Sequence, residues 1–234
     1  MKRCCNDGFR WLACLSLAAV VGACSGSLNP FKKEEERLPG QRISISKPQN
    51  DVQVDPIAAR KPVSISAPQR NTDWSQPGGV ATNAPGHLQV SGGLGTSWRA
   101  DVGEGSSDKG RLTASPIVYQ GKIFAIDTRG RVAAFSASGG GRVWRVDLAP
   151  ENEKGEEGFG GGLAVDEGRL YATTGFGTAV ALNPANGEVL WTRNIGTPVR
   201  SSPTAVGGKL YFVSADSRLF CLSGKDGADV WTYR

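Results

Sequence analysis

Side chains able to do chemistry are few and scattered in this sequence. It holds 1 His and 5 Cys among 234 residues. A single imidazole excludes a multi-His metal centre and leaves little for acid–base catalysis that turns on His. Of the cysteines, Cys4, Cys5 and Cys14 cluster near the start, Cys24 closes the run Val21-Gly22-Ala23-Cys24, and Cys221 stands alone far downstream. A thiol works as a nucleophile only beside a base, and no His or Asn/Asp constellation points at Cys221. Asp127 and Asp216 fall in polar turns, where a carboxylate fits Asx geometry, so neither marks a metal by itself. Gly160-Gly161-Gly162 lacks the Lys-Ser/Thr and helix start of a phosphate cradle. The residues therefore assign no catalytic, cofactor-binding or metal site, and the chain does not read as an enzyme.

Cys24 differs because of what precedes it. Lys2, Arg3 and Arg10 are followed by an apolar run over residues 11–21, too short for a mature transmembrane helix and of the form of a secretory signal. The tetrad ending at Cys24 resembles the bacterial lipobox, with Val where Leu is commoner. That resemblance implies that residues 1–23 are a lipoprotein signal peptide and that Cys24 is acylated, as by palmitate, and becomes the first mature residue. Ser25 in place of Asp then directs the protein to the outer membrane. An ordinary cleavage near Ala23 uses the same small residues. With Cys24 acylated, Cys221 is the one mature thiol, and no internal disulfide is available even in an oxidising periplasm.

The net charge of +5 is not spread evenly. Residues 71–234 carry sixteen basic and sixteen acidic side chains, so the excess lies upstream and no nucleic-acid surface is implied. Residues 24–70, rich in Ser, Pro, Gln and charge, read as a flexible tether. Within them Ile43-Ser44-Ile45-Ser46 recurs as Val63-Ser64-Ile65-Ser66, an alternation of the kind that adds a strand to a sheet edge.

From residue 71 the informative feature is a repeat. Gly121, Gly168 and Gly208 each precede a tryptophan, Trp144, Trp191 and Trp231, by the same interval. Between them Phe124, Tyr171 and Tyr211 coincide, as do Ala134, Ala181 and Cys221, which makes Cys221 a packed core thiol. The difference in repeat length falls in the acidic Gly-rich stretch around Glu151 to Gly158, as a loop insertion should. Each unit reads as four short strands, with Gly139-Gly140, Asn186-Gly187 and Asp226-Gly227 expected as tight hairpin turns with positive φ at both residues. Recurring once per unit, the Trp is expected to pack one unit on the next. The fold class is all-β: a β-propeller of four-stranded blades over 71–234, with repeat cores 121–144, 168–191 and 208–231.

The run Leu182-Asn183-Pro184-Ala185-Asn186-Gly187-Glu188-Val189-Leu190-Trp191 looks like the repeat of PQQ-type propellers. Together with the lipobox, Leu38-Pro39-Gly40-Gln41-Arg42 and Thr72-Asp73-Trp74-Ser75-Gln76-Pro77-Gly78-Gly79, it resembles the BamB family of outer-membrane assembly lipoproteins in its alphaproteobacterial form. The resemblance implies an eight-bladed, non-enzymatic propeller. It would be lipid-anchored at the periplasmic face of the outer membrane, docked on the periplasmic domains of a BamA-like subunit, and assist the β-barrel assembly machine. Three to four blades are present, so the propeller is incomplete and the sequence reads as an N-terminal fragment or truncated product. The family's Leu-x-Leu-Arg partner string falls in later repeats; Val199-Arg200 is similar one repeat early and takes no role. Two other readings remain open, a quinone-dependent dehydrogenase and an envelope propeller that binds peptide or glycan.

Overall fold

The computed structural model describes Gly40 and residues 54–90, 92–93, 95–108, 110–151, 153 and 158–234. Cys24 and Ile43-Ser44-Ile45-Ser46 lie outside the described residues. The chain divides into two compact units, Met1–Pro62 and Val63–Arg234. Of the first, residues 54–62 include one 3-10 turn, Ala58–Arg60, ahead of which the Asp55 carboxylate accepts the Ile57 N–H.

The second unit holds three sheets of the same build. The first contains β1 (Ile117–Tyr119), β2 (Lys122–Ile126), β3 (Arg131–Ser136) and β4 (Arg142–Asp147). The second contains β5 (Gly161–Asp166), β6 (Arg169–Thr174), β7 (Thr178–Leu182) and β8 (Val189–Asn194). The third contains β9 (Thr204–Val206), β10 (Lys209–Val213), β11 (Leu219–Ser223) and β12 (Asp229–Tyr233). In each sheet the strands pair antiparallel in chain order. Strand β5 lies against both β1 and β9, so the first strands form the inner side and the fourth strands the outer. These are propeller blades, as the repeat requires.

The turns differ from the sequence reading in an instructive way. Positive φ at two successive residues occurs between the first and second strands, at Gln120 (48°) and Gly121 (69°), Glu167 (46°) and Gly168 (74°), and Gly207 (60°) and Gly208 (69°). That backbone is the two-residue hairpin whose twist matches the strands. The expected tight turns at Gly139-Gly140, Asn186-Gly187 and Asp226-Gly227 are instead wider loops. In the middle blade Asn183 N–H bonds Glu188 C=O and Gly187 N–H bonds Asn183 C=O, closing a four-residue loop. Only its last residue has positive φ, 78° at Gly187. Asn186 uses its side-chain oxygen to accept the Glu188 N–H, so it needs no left-handed backbone.

Gly187 is glycine for a second reason. A Cβ there would lie 2.7 Å from the ring of Trp144, on the outer strand of the preceding blade. The same indole donates its N–H to Pro184 C=O at 3.2 Å. Trp191 repeats this on the third blade, with a Cβ on Gly227 2.8 Å from its ring and its N–H donated to Gly224 C=O at 3.0 Å. Trp98, which is in no strand, does the same to the first blade through Gly140 and Ala137 C=O, 3.1 Å away. Each Trp of a blade is also aimed by a bulge. The pairing runs Ala134 to Trp144 and then Phe135 to Arg142, skipping Val143, and it likewise skips Leu190 and Val230. One extra residue in the outer strand bends it and turns the ring toward the next blade.

Burial follows the alternation of strand faces. On the middle blade Leu163, Val165, Leu170, Ala172, Val180 and Leu182 join Phe124, Ile126 and Val132 in one core. The intervening Ala164, Tyr171, Ala179 and Ala181 join Leu210, Phe212, Phe220 and Leu222 in a second. Both faces of this sheet are covered, which is why β5 and β6 read as unbroken small and apolar runs rather than alternating ones. Tyr171 is fully buried, and its hydroxyl donates to the same Gly224 C=O that Trp191 uses. Burial raises its pKa above the ordinary phenol value, so it stays a donor.

Gly187→Ala is expected to combine left-handed strain with displacement of the Trp144 ring, a destabilisation of about 3 kcal/mol. The check is urea or thermal unfolding followed by Trp fluorescence, with Gly139→Ala, where a Cβ meets nothing within 4 Å, as the mild comparison.

Candidate functional site

Two surfaces of the blades carry features beyond packing, the inner edge and one loop end. At the inner edge an antiparallel sheet leaves every second residue of its edge strand with N–H and C=O directed away from the sheet. In the three blades these residues are Val118, Val165 and Ala205, each three before the blade's hairpin glycine. All three are met by one stretch of chain. Trp74 exchanges both backbone bonds with Val118, at 2.7 and 2.8 Å. Ser75 C=O accepts the Val165 N–H at 2.7 Å. The Gln76 carboxamide then donates to Ala205 C=O and accepts Ala205 N–H, both at 3.2 Å. Gln76 is 4% exposed, so its amide is committed to this pairing.

The local sequence explains why the stretch ends there. Gln76 C=O accepts the Gly79 N–H at 2.8 Å, with Pro77 and Gly78 between them. Pro followed by Gly at φ 82° is a type II turn. A Cβ on Gly79 would lie 2.8 Å from the Trp74 ring, so glycine lets the turn close over the indole. Asp73 adds a bond from the Gln120 N–H at 2.8 Å, tying the entry to the first blade's hairpin.

The loop end gathers the turns between second and third strands and the connections between blades. Asp127, 3% exposed, accepts the N–H of Arg129 and of Arg131 on one oxygen and the Glu104 N–H and Arg131 guanidinium on the other. With its lone pairs so occupied it is a turn organiser and no metal ligand. Asp216 accepts the Ser214 hydroxyl and the Arg218 guanidinium. The Ser214 bond, helped by Arg218, holds its carboxyl below the ordinary range, against the opposing effect of desolvation. Among the described residues no group of three or more His, Cys, Asp or Glu is placed to hold a metal.

The middle blade has Gly175-Phe176-Gly177 where its neighbours have acidic turns. Phe176 covers Gly158 and Gly130, bridging to the first blade's turn. Arg200 lies over the Phe159 ring at 4.2 Å, while Val199 beside it is fully buried. Arg218 bonds Thr197 across the next junction. A cavity of about 310 Å³ opens among Glu104, Gly105, Ser107, Asp108, Thr128 and Arg129. The loop end thus presents arginines interleaved with phenylalanines.

Other residues singled out by the sequence have structural placements. Gly161 and Gly162 lie inside β5, pressed on the Thr173 carbonyl and on Ser202, so close approach and not phosphate binding selects glycine. Cys221 is buried and stands in register between Tyr211 and Trp231, where its neighbours have alanine. Trp144 and Trp191 pack one blade on the next as expected. Val63 and Ile65 are exposed, and Gln69 bridges to Leu88. The sequence reading missed the role of Gln76, and it passed over Phe159 and Phe176. For Phe176 a signal existed, an aromatic at a turn position that is polar in the other two units.

The family model described as outer membrane protein assembly factor BamB matches residues 128–234. The assembly factor BamB of Shewanella oneidensis is 34% identical over 145 residues, which are 58% of this chain and 36% of that protein. That of Yersinia pestis is 26% identical over 140 residues, 58% of this chain and 35% of its own length. The chain therefore matches about a third of the length of these relatives. Among solved structures, the quinohemoprotein alcohol dehydrogenase of Comamonas testosteroni superposes with a TM-score of 0.56 at 19% identity, covering 70% of this chain and 27% of that one. At that identity the likeness is one of fold. The sequence matches are to BamB assembly factors, and it is to that family that residues 128–234 are similar.

Proposed function

We propose that this chain acts as a scaffold in outer-membrane protein assembly, presenting its loop end to the periplasmic domains of a BamA-like barrel-assembly subunit. In this reading it helps outer-membrane proteins fold and insert, and it is held at the periplasmic face of the outer membrane by a lipid on Cys24, with residues 24–70 as tether. The curated relatives are named for assembly of outer-membrane proteins. The observation that carries the reading is the loop end itself, where Arg129, Arg200 and Arg218 alternate with Phe159 and Phe176. Arginine and aromatics are the side chains enriched at protein interfaces.

The competing reading, a quinone-dependent dehydrogenase, meets a specific obstacle. A quinone on the inner side of these blades would need polar groups free there. The inner-edge groups of Val118 and Ala205 and the N–H of Val165 are already bonded to residues 74–76. Those backbone groups are unavailable to a cofactor, which supports the reading of a non-enzymatic protein.

Recovery of the tagged full chain from a detergent-solubilised envelope is expected to bring barrel-assembly subunits with it. Quinone-dependent dye reduction by the same preparation, with no such subunits, would overturn the reading. Arg200→Glu is expected to lower that recovery about tenfold with little change in melting, since an exposed interfacial charge acts mainly on association. For the anchor, Cys24→Ala should no longer incorporate labelled fatty acid, and persistent labelling would remove Cys24 from the proposal.

A further inference from the structure

The contact of residues 73–76 with the three blades has a regularity that packing alone does not demand. Val118, Val165 and Ala205 occupy the same rung of their blades, each on a strand with one edge paired and one edge open. Successive residues Trp74, Ser75 and Gln76 answer them one by one. The first answer uses both backbone groups and the second uses a carbonyl. At the third the Gln76 C=O is already committed to the turn with Gly79, and the side chain takes over. A primary carboxamide carries the same donor and acceptor pair as a peptide group, so Gln76 completes the rung as a strand residue would. Asn would fall short by one methylene, about 1.5 Å.

We propose that the inner edges of the three blades form one strand-acceptor site for an extended peptide, filled in cis by residues 73–76, and that Gln76 is its specificity-determining residue. The site selects a segment whose third contact is a neutral carboxamide. Ala205 N–H and C=O, facing it, reject a group that only accepts or only donates. A carboxylate satisfies the N–H and leaves the C=O opposed by a like dipole. An aliphatic side chain leaves both groups unpaired on a residue that is 2% exposed. The strap thereby registers the third blade against the first two at a point removed from the Trp contacts, and it closes the inner edge to any second peptide.

The test is hydrogen exchange of the full chain resolved to Ala205, Val165 and Val118. Gln76→Ala is expected to speed exchange of the Ala205 N–H about tenfold, the scale of one lost hydrogen bond, with a smaller change at Val118. Gln76→Asn should behave like Ala. Gln76→Met keeps the length and volume, and it carries the same comparison should the Ala variant not fold. Gln76→Glu adds a readout that a packing role would not move. Compared with wild type at each pH, its excess exchange is expected to be large at pH 7, where repulsion from the Ala205 C=O displaces the whole carboxylate and with it the acceptor of the N–H, and to shrink below about pH 5, where the protonated carboxyl regains a donor. Ala205 exchange within twofold of wild type in Gln76→Met, or a Glu variant whose excess is independent of pH, would overturn the proposal.

Discussion

The interaction on which the rest depends is an indole laid over a hairpin of the next sheet. Four antiparallel strands have two faces and cannot bury either alone. On the first two blades a tryptophan of the outer strand, Trp144 or Trp191, reaches across, donates its N–H to a carbonyl of the neighbouring loop, and rests where that loop has no Cβ. Ring, donor and glycine are three separate requirements, met by three residues at fixed intervals. The bulge before the Trp and the small residue opposite it, Ala134, Ala181 or Cys221, follow from the same need, since they aim the ring and make room for it. Phe124, Tyr171 and Tyr211 stand beside these rings with centroids 5.8, 6.0 and 6.1 Å away. Repetition of the contact, with its geometry nearly unchanged, turns a sheet into a blade.

Such a contact writes itself into sequence, and this explains what was legible. Gly-to-Trp spacing, the four strands, the packing role of Trp144 and Trp191 and the burial of Cys221 all follow from side chains whose types recur. Turn geometry was less legible because two different turns contain glycine. Asn186-Gly187 carries the residue pair of a tight hairpin, yet Asn186 there caps the Glu188 N–H and a wider loop results. Gln120-Gly121 and Glu167-Gly168, with no such signature, are the tight ones, because the paired strands on both sides impose the twist. Gln76 was illegible for another reason. It occurs once, in a stretch without periodicity, and its partner Ala205 lies 129 residues away. A singular long-range contact leaves no trace in composition or spacing.

The loop end and the inner edge use the same polar residue types to different ends. At the inner edge donors and acceptors are matched within the chain and withdrawn from solvent. At the loop end Asp127 and Asp216 organise turns while arginines project from them, and the aromatic rings are only half covered. The division is physical. Backbone groups of a sheet edge are demanding in position and are best answered by a strand, whereas guanidinium and phenyl groups tolerate varied partners. It fits the scaffold role proposed above, in which the inner edge is closed and the rim of loops is left for a partner.

The one-residue bulge has a consequence outside the blade as well. Strands β4, β8 and β12 are outermost, and an outermost strand is a template on which a passing extended chain can lengthen the sheet. Val143, Leu190 and Val230, each close to half exposed, interrupt that template one residue before the Trp. A visiting strand finds its rungs in step on one side of the bulge and out of step on the other, so it cannot zip along the whole edge. The kink that seats the tryptophan thus also keeps these sheets from being extended by another chain.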